Sequence, residues 1–318
     1  DFHTGDRVVS NGNHAEYVVV NQNLCTRIPD NTDIKEASFT VLGSIALHGL
    51  RLSETSLGSK VVVIGLGIIG QLVCRLAEAQ GSEVIGIDPD TKRTDMSENF
   101  YTSVEEANMT NVDSVIITAA TSSNEPIEVA TKIARNKAKI VVVGDIPLNI
   151  SRNDFYYKEL ELVVSKSYGP GRYDKQYEIL GKDYPIEYVR WTENRNFEAF
   201  IKLLSQNQIH LLDLVTEEVP FENAPSIYKK FSGEDKPLSI VLRYDNKSEP
   251  KIDLQRTVEL EPKTEKVNLG ILGAGNFAST TILPILKELK KDCQVLGIAS
   301  STGLSSESLA TNFKIKNK

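Results

Sequence analysis

Two kinds of apolar run alternate along the middle of this chain. Residues 60–65 are almost all apolar and β-branched, the pattern of a strand buried on both faces. Residues 71–80 follow with Leu72, Val73, Leu76 and Ala79 on one helical face, and 84–87 return to strand character before Asp88. Strands at 112–118, 139–144 and 160–165 and a helix at 126–135 continue the series. Strand, helix and strand in succession predict a parallel sheet with crossover helices, and so an α/β fold.

The flanks differ. Residues 4–9, 16–20 and 24–28 read as short strands, the last two joined by Asn21-Gln22-Asn23. So few strands are marginal alone, which predicts part of a β-domain cut at the N-terminal end. Thr32 or Asp33 can cap a helix over 34–51, and Ser56-Leu57-Gly58-Ser59 breaks that region. Beyond the core come a turn-rich loop at 168–171 and a helix at 194–206 with Phe197, Phe200, Ile201 and Leu204 on one face. A short helix at 221–231 and a strand at 238–244 are expected to return to the β-domain. Residues 245–266 are polar, charged and proline-containing, with strand character only at 256–260. Residues 267–272, 277–289 and 293–299 then form one β-α-β unit. The predicted division is a partial β-domain at 1–50, a nucleotide-binding domain at 51–185, a return at 186–245, a linker at 246–265 and an incomplete second nucleotide-binding unit at 266–318.

Composition narrows the function classes. The 318 residues, 40% hydrophobic and 25% charged, suit a soluble globular chain of more than one domain. A net charge of −7 argues against a nucleic-acid binder, which needs a basic surface. No apolar run approaches the roughly 18 residues of a membrane span, and Asp1-Phe2-His3 does not open a signal peptide. Cys25, Cys74 and Cys293 lie far apart, which fits a reducing compartment and a cytoplasmic location.

The chemistry is concentrated in Gly65-Leu66-Gly67-Ile68-Ile69-Gly70, between a buried strand and a helix. Gly65 permits a tight turn, Gly67 lets backbone approach a pyrophosphate, and Gly70 allows close helix–strand packing. The amides of Ile68 and Ile69 stand at a helix N-terminus, where an anion is favoured. Asp88 ends the next strand at about the offset expected of a ribose-binding carboxylate. It would repel a 2′-phosphate, so NAD(H) is expected. The plainer alternative is a glycine turn of an ordinary α/β domain.

Gly5-Asp6-Arg7-Val8, His14-Ala15-Glu16-Tyr17-Val18, Ile28-Pro29-Asp30 and the fingerprint with Asp88 resemble the medium-chain dehydrogenase/reductase superfamily, the alcohol-dehydrogenase-like enzymes. Segments 167–174 and 183–192 resemble a bi-domain subgroup in which such a unit precedes a Gfo/Idh/MocA-type domain. The resemblance implies a Rossmann doubly wound sheet inserted in a GroES-like β-barrel, here partial, with the active site in the cleft. It implies that Arg93 is the basic residue after the ribose acid and that Thr118 and Ala119 flank the cofactor. Val143, Gly144 and Asp145 would meet the nicotinamide carboxamide. A sugar or sugar-nucleotide substrate, a place in polysaccharide synthesis and a homodimer are further implications.

The superfamily's catalytic zinc has no match here. A cysteine ligand would fall near Leu42, which cannot bind a metal, and no closely spaced cysteines form a structural site. His3, His14, His48 and His210 read as structural or solvated, so no zinc is expected. Without zinc, the proton of a hydride transfer needs a side chain. Tyr168 and His48 are the weak candidates, with Lys166 and Asp145 behind them; Tyr168 also reads as a packing tyrosine and His48 as an exposed helix residue. Lys158, Lys166, Arg172 and Lys175 could meet an acidic sugar but read as a solvated face.

A second fingerprint, Gly273-Ala274-Gly275-Asn276-Phe277-Ala278, begins the C-terminal unit. Ala299-Ser300-Ser301-Thr302 stand where its acid should be, and no Glu-Lys-Pro motif follows before Lys318. That predicts an interrupted unit without a competent second active site. The leading expectation is an NAD(H)-dependent oxidoreductase; the rival is a non-catalytic dinucleotide-binding scaffold or nicotinamide-ratio sensor.

Overall fold

The computed structural model describes residues 2–230, 236–244, 266–300 and 304–316. The chain divides into two compact units, Asp1–Lys247 and Ser248–Lys318.

In the first unit, β1 (Val8–Ser10) pairs antiparallel with β2 (Cys25–Arg27). Residues 16–20, expected as a strand, form none. Tyr17, Val18 and Val19 are exposed, and no strand among the described residues pairs with them to supply a ladder. The helix expected over 34–51 is two helices. The Asp33 carboxylate accepts the Lys35 and Glu36 N–H groups to start α1 (Ile34–Ala37), and α2 (Thr40–Leu52) follows. Between them the Ser38 hydroxyl donates to the Lys35 carbonyl at 2.6 Å, and Phe39 is buried in the core.

The centre of the unit runs β3 (Lys60–Ile64), α3 (Ile68–Ala79), β4 (Glu83–Ile87), α4 (Thr91–Thr94), β5 (Phe100–Tyr101), α5 (Val104–Ala107), β6 (Val112–Ile117), α6 (Glu125–Ile133), β7 (Ala134–Val142), α7 (Arg152–Tyr156) and β8 (Glu161–Val164). The six strands form one parallel sheet in the order β5-β4-β3-β6-β7-β8. The order reverses between β3 and β6, which makes a topological switch point, the place where open α/β sheets bind ligands. Alternate residues of β3 serve opposite faces. Val61 and Val63 pack with Leu47, Leu50, Leu72 and Leu76, while Val62 and Ile64 pack with Ile127, Ala130 and Ile133. Each such side chain contributes about 1.5–3 kcal/mol by leaving water, so β3 is held from both sides.

Lys158, expected on a solvated basic face, is a helix cap instead. Its Nζ donates to the carbonyls of Thr131, Lys132 and Ala134 at 2.7, 2.9 and 2.8 Å, where α6 ends.

After the sheet come α8 (Lys175–Glu178) and α9 (Glu193–Ser205), the latter capped by Thr192. Helix α9 lies on α2, and the approach needs a glycine: a Cβ at Gly43 would stand 2.1 Å from the Phe200 ring. The sequence ends this unit with β9 (Glu217–Pro220), α10 (Ala224–Lys230) and β10 (Ile240–Arg243). Strands β9 and β10 pair parallel with each other rather than with β1 or β2. Side chains reach the N-terminal segment: Glu36 accepts the Leu211 N–H at 2.6 Å, and Lys35 pairs with Glu218. Phe231, the expected end of the short helix, lies outside the described residues, as does the expected linker at 246–265 with its strand-like 256–260.

In the second unit, β11 (Val267–Leu272) pairs parallel with β12 (Cys293–Ala299). The helix expected over 277–289 is a π turn at Ala278–Ile282 followed by α11 (Leu283–Glu288). Pro284 has no N–H for a regular ladder, which accounts for the wider turn before it. Helix α12 (Leu304–Phe313) completes the unit, whose buried apolar set includes Leu283, Ile298 and Ala310.

Candidate functional site

The first fingerprint lies at the switch point, and its three glycines answer three different constraints. Gly65 has φ +98°, a left-handed conformation, and a Cβ there would stand 2.5 Å from the Ala119 nitrogen. Gly70 lies under the turn, where a Cβ would come within 1.9 Å of the Gly65 carbonyl oxygen. Gly67, the residue before α3, has open space: the nearest atom to its missing Cβ is Arg93 Nη1 at 3.7 Å. That open space, at a helix N-terminus whose first N–H groups include Ile68 and Ile69, is a candidate cradle for a pyrophosphate.

Asp88 is buried beside this cradle at the end of β4. Its Oδ2 accepts the Leu66 N–H at 2.7 Å and Arg93 Nη1 at 3.2 Å, and its Oδ1 accepts the Asp90 N–H at 2.9 Å. One lone pair of Oδ1 therefore stays open for a hydroxyl. Arg93, at the end of α4, also faces Asp90 at 3.4 Å. Its guanidinium lies over both the acid and Gly67.

On the other side of the switch point, Thr118 and Ala119 follow β6. Both backbone N–H groups bond to the Ile64 carbonyl, and the Thr118 hydroxyl donates to the Gly65 carbonyl. Gly144 follows β7 and must be glycine, since a Cβ would stand 1.9 Å from the Ala119 carbonyl oxygen. Val143 touches α2 at Gly49, where a Cβ would meet its Cγ2 at 2.6 Å. Asp145 is exposed, and its carbonyl accepts the Thr121 N–H. The structure thus gathers Gly65, Gly67, Ile68, Ile69, Gly70, Asp88, Arg93, Thr118, Ala119, Val143, Gly144 and Asp145 around the C-terminal ends of β3, β4, β6 and β7.

His48 lies beside Gly169, the residue after Tyr168, in a second polar cluster. Tyr168 is buried; its hydroxyl accepts Asn11 Nδ2 at 3.0 Å, and its ring packs on Phe197. Burial pushes the phenol pKa up, away from a useful range for proton transfer at neutral pH. His48 is half-buried rather than exposed, a correction to its expected position on an open helix face. Burial and the neighbouring Arg51 charge hold its pKa down to about 4, so its imidazole is neutral near pH 7. A Cβ on Gly169, which has φ +107°, would lie 3.2 Å from His48 Nδ1.

Several residues of this cluster escaped the sequence reading. Asn196 Nδ2 donates to the Tyr168 carbonyl at 3.0 Å, and its Oδ1 accepts Arg51 Nε at 3.1 Å. Glu193, at the start of α9, is fully buried, and neither carboxylate oxygen has a hydrogen-bond partner. Burial, aided by the Glu178 charge, raises its pKa to about 8 against the pull of Arg172 and Lys166. No local pattern marks these residues; only the packing of α9 on α2 assembles them.

Leu42 occupies the expected zinc-ligand region, and among the described residues no group of three or more His, Cys, Asp or Glu side chains converges on one point. The His14 ring engages the Tyr228 hydroxyl, His3 faces Arg27 and Asp6, and His210 is exposed. In the second unit, Gly273 has φ +108°, and nothing lies within 4 Å of a Cβ on Gly273 or Gly275. Ser300 Oγ, where an acid was sought, accepts the Ser306 N–H at 3.3 Å; Ser301 and Thr302 lie outside the described residues.

Comparison with known proteins agrees with the architecture. Residues 43–153 match the family model for the D-isomer specific 2-hydroxyacid dehydrogenase, NAD binding domain. The chain is 26% identical over 222 residues to 2-dehydro-3-deoxy-L-galactonate 5-dehydrogenase of Pseudoalteromonas atlantica, covering 65% of this chain and 58% of that protein. It is 25% identical over 263 residues to D-guloside 3-dehydrogenase of Escherichia coli, covering 76% and 71% respectively. The structure of 2R,3R-butanediol dehydrogenase from Bacillus subtilis superposes with a TM-score of 0.61 at 18% identity, over 77% of this chain and 75% of that one. The chain thus shares the fold of this dehydrogenase structure, with a six-stranded parallel sheet at its centre. It spans about three-fifths of the length of the first curated relatives it matches. No helix among the described residues is long and apolar enough to cross a membrane.

Proposed function

We propose that this chain carries the NAD(H)-binding unit of a zinc-independent oxidoreductase that interconverts a CH–OH group and a carbonyl on a sugar or sugar nucleotide. The observation that carries the reading is the open cradle at Gly67 beside the anchored carboxylate of Asp88. The residues fit the cofactor. Ile68 and Ile69 N–H groups would hold the pyrophosphate, the open lone pair of Asp88 Oδ1 would accept a ribose hydroxyl, and Arg93 would lie along the adenosine. The nicotinamide, when bound, supplies the hydride chemistry. Val143 and Gly144 would border its carboxamide end, held by the close fits to Gly49 and Ala119. The relatives that act on sugar acids and glycosides support the substrate class. Zinc independence rests on Leu42 and on the unconverged histidines.

On the same reading the C-terminal unit opens a Gfo/Idh/MocA-type domain, the division at 1–50, 51–185, 186–245 and 266–318 follows, and the enzyme works as a homodimer. The second fingerprint and its β-α-β unit support the C-terminal part of this reading.

NADH titration tests the core of the proposal. A saturable fluorescence change is expected, and none at millimolar cofactor sinks it. Turnover of NADH by the full-length protein on a panel of sugar ketones tests the enzyme reading, and stoichiometric zinc in metal-supplemented protein would overturn zinc independence.

A non-catalytic scaffold or nicotinamide-ratio sensor is the second reading. It is favoured by the two shifted candidates, since burial holds His48 down to about 4 and pushes the Tyr168 phenol up. NADH binding without turnover on any substrate would select it.

A further inference from the structure

Trp191 is the single tryptophan of the chain, and two arginines lie against it. The Arg51 guanidinium sits 3.4 Å from the ring centroid and the Arg190 guanidinium 3.7 Å. Both guanidiniums thus stack on one indole, with their central carbons at most about 7 Å apart.

The pair is short of negative charge. Arg51 uses Nε on Asn196 Oδ1, which leaves both of its Nη groups without an acceptor among the described residues. Arg190 makes no hydrogen bond or ion pair there either. Other arginines of this unit have carboxylates: Arg75 has Asp213, Arg93 has Asp88, Arg172 has Glu178 and Arg195 has Asp183. Burial, with the repelling charge of Arg190 behind it, lowers the Arg51 pKa to about 10.

We propose that Arg51 and Arg190 form a phosphate-binding site, with the Trp191 indole as its wall. A carboxylate presents its two oxygens to one guanidinium fork. A tetrahedral phosphate presents oxygens on several sides, and N–O bonds of about 2.8 Å on two of them bridge up to roughly 7 Å beside the indole. His48, one turn before Arg51 on α2, is neutral near pH 7 and adds no third positive charge beside the pair. The same helix touches the candidate nicotinamide loop through Gly49 and Val143. The phosphate can be the free ion or the ester group of a phosphorylated sugar.

Trp191 reports on the site directly, because all tryptophan emission comes from it. The full chain is titrated with inorganic phosphate and, separately, with a hexitol phosphate, at constant ionic strength with chloride as the control. A saturable emission change with a millimolar or tighter Kd is expected. Arg190→Gln, at an exposed position, should weaken it by about tenfold or more with an unchanged far-ultraviolet dichroism spectrum. Arg51→Lys, which keeps the charge and loses the fork, should weaken it as well. Hexitol phosphate binding at least about tenfold tighter than phosphate assigns the site to a sugar phosphate, and equal binding assigns it to the free ion. No saturable change with either, an equal response in Arg190→Gln, or a chloride response that matches phosphate overturns the proposal.

Discussion

Asp88 Oδ2 accepts the backbone N–H of Leu66 at 2.7 Å. The acid at the end of β4 is thereby tied to the glycine turn that leaves β3. One carboxylate organises the loop and offers its remaining lone pair to a ligand. Asp88→Ala should weaken NADH binding by about tenfold or more and lower stability by about 1–3 kcal/mol, because the Leu66 N–H loses its acceptor. Asp88→Asn keeps an acceptor for Leu66 and should recover most of the stability but less of the binding. Fluorescence titration and urea unfolding separate the two effects; unchanged NADH affinity in Asp88→Ala would refute the ribose assignment.

Gly67 and Gly70 should fail in different ways. A methyl group at Gly70 meets the Gly65 carbonyl oxygen at 1.9 Å, so Gly70→Ala should destabilise the fold by about 1–3 kcal/mol. At Gly67, where φ is −62° and the nearest atom lies 3.7 Å away, alanine should leave the melting temperature nearly unchanged. It should instead fill the cradle and weaken NADH binding. Wild-type affinity in Gly67→Ala would show that the pyrophosphate does not lie there.

His48 and Glu193 bend the pH profile of stability in opposite directions. His48 has its folded pKa lowered from 6.5 to about 4. Over that interval the unfolded chain binds more protons, so stability rises with pH. Glu193 has its folded pKa raised from 4.5 to about 8. From pH 4.5 upward the folded chain binds more protons, so stability falls with pH until about 8. The two contributions oppose each other between pH 4.5 and 6.5, and Glu193 acts alone from 6.5 to 8. The unfolding free energy from urea titration should therefore decline above pH 6.5, by at most about 1.4 kcal/mol per pH unit. Glu193→Gln should remove the decline, and a decline that persists in this variant would assign it to other groups.

Lys158→Met should cost about 1–3 kcal/mol in chemical unfolding, since three carbonyls at the end of α6 lose one shared cationic donor. NADH affinity should stay near wild type, because Lys158 is not in the cradle. A variant as stable as wild type would show that solvent caps those carbonyls equally well.

The sequence by itself determined the parallel α/β core, its switch-point fingerprint and the acid that completes it. Those signals are local. Strand burial is written in the unbroken apolar run of Val61, Val62, Val63 and Ile64, a left-handed turn in a glycine at position 65, and the candidate ribose acid in its offset from that turn. What local periodicity could not decide was every feature that depends on a distant partner. Residues 16–20 have strand composition but no ladder, and the helix over 34–51 divides where Phe39 enters the core. Lys158 reads as a solvated charge and is a cap across a helix end. Glu193 and Tyr168 became buried, and Arg51 met Trp191, only because Gly43 lets Phe200 bring α9 onto α2. Neighbours in sequence dictate backbone conformation and the face that turns inward. The charges a side chain meets there, and hence its protonation and its chemistry, are set by contacts between residues more than a hundred positions apart, such as Arg51 and Asn196.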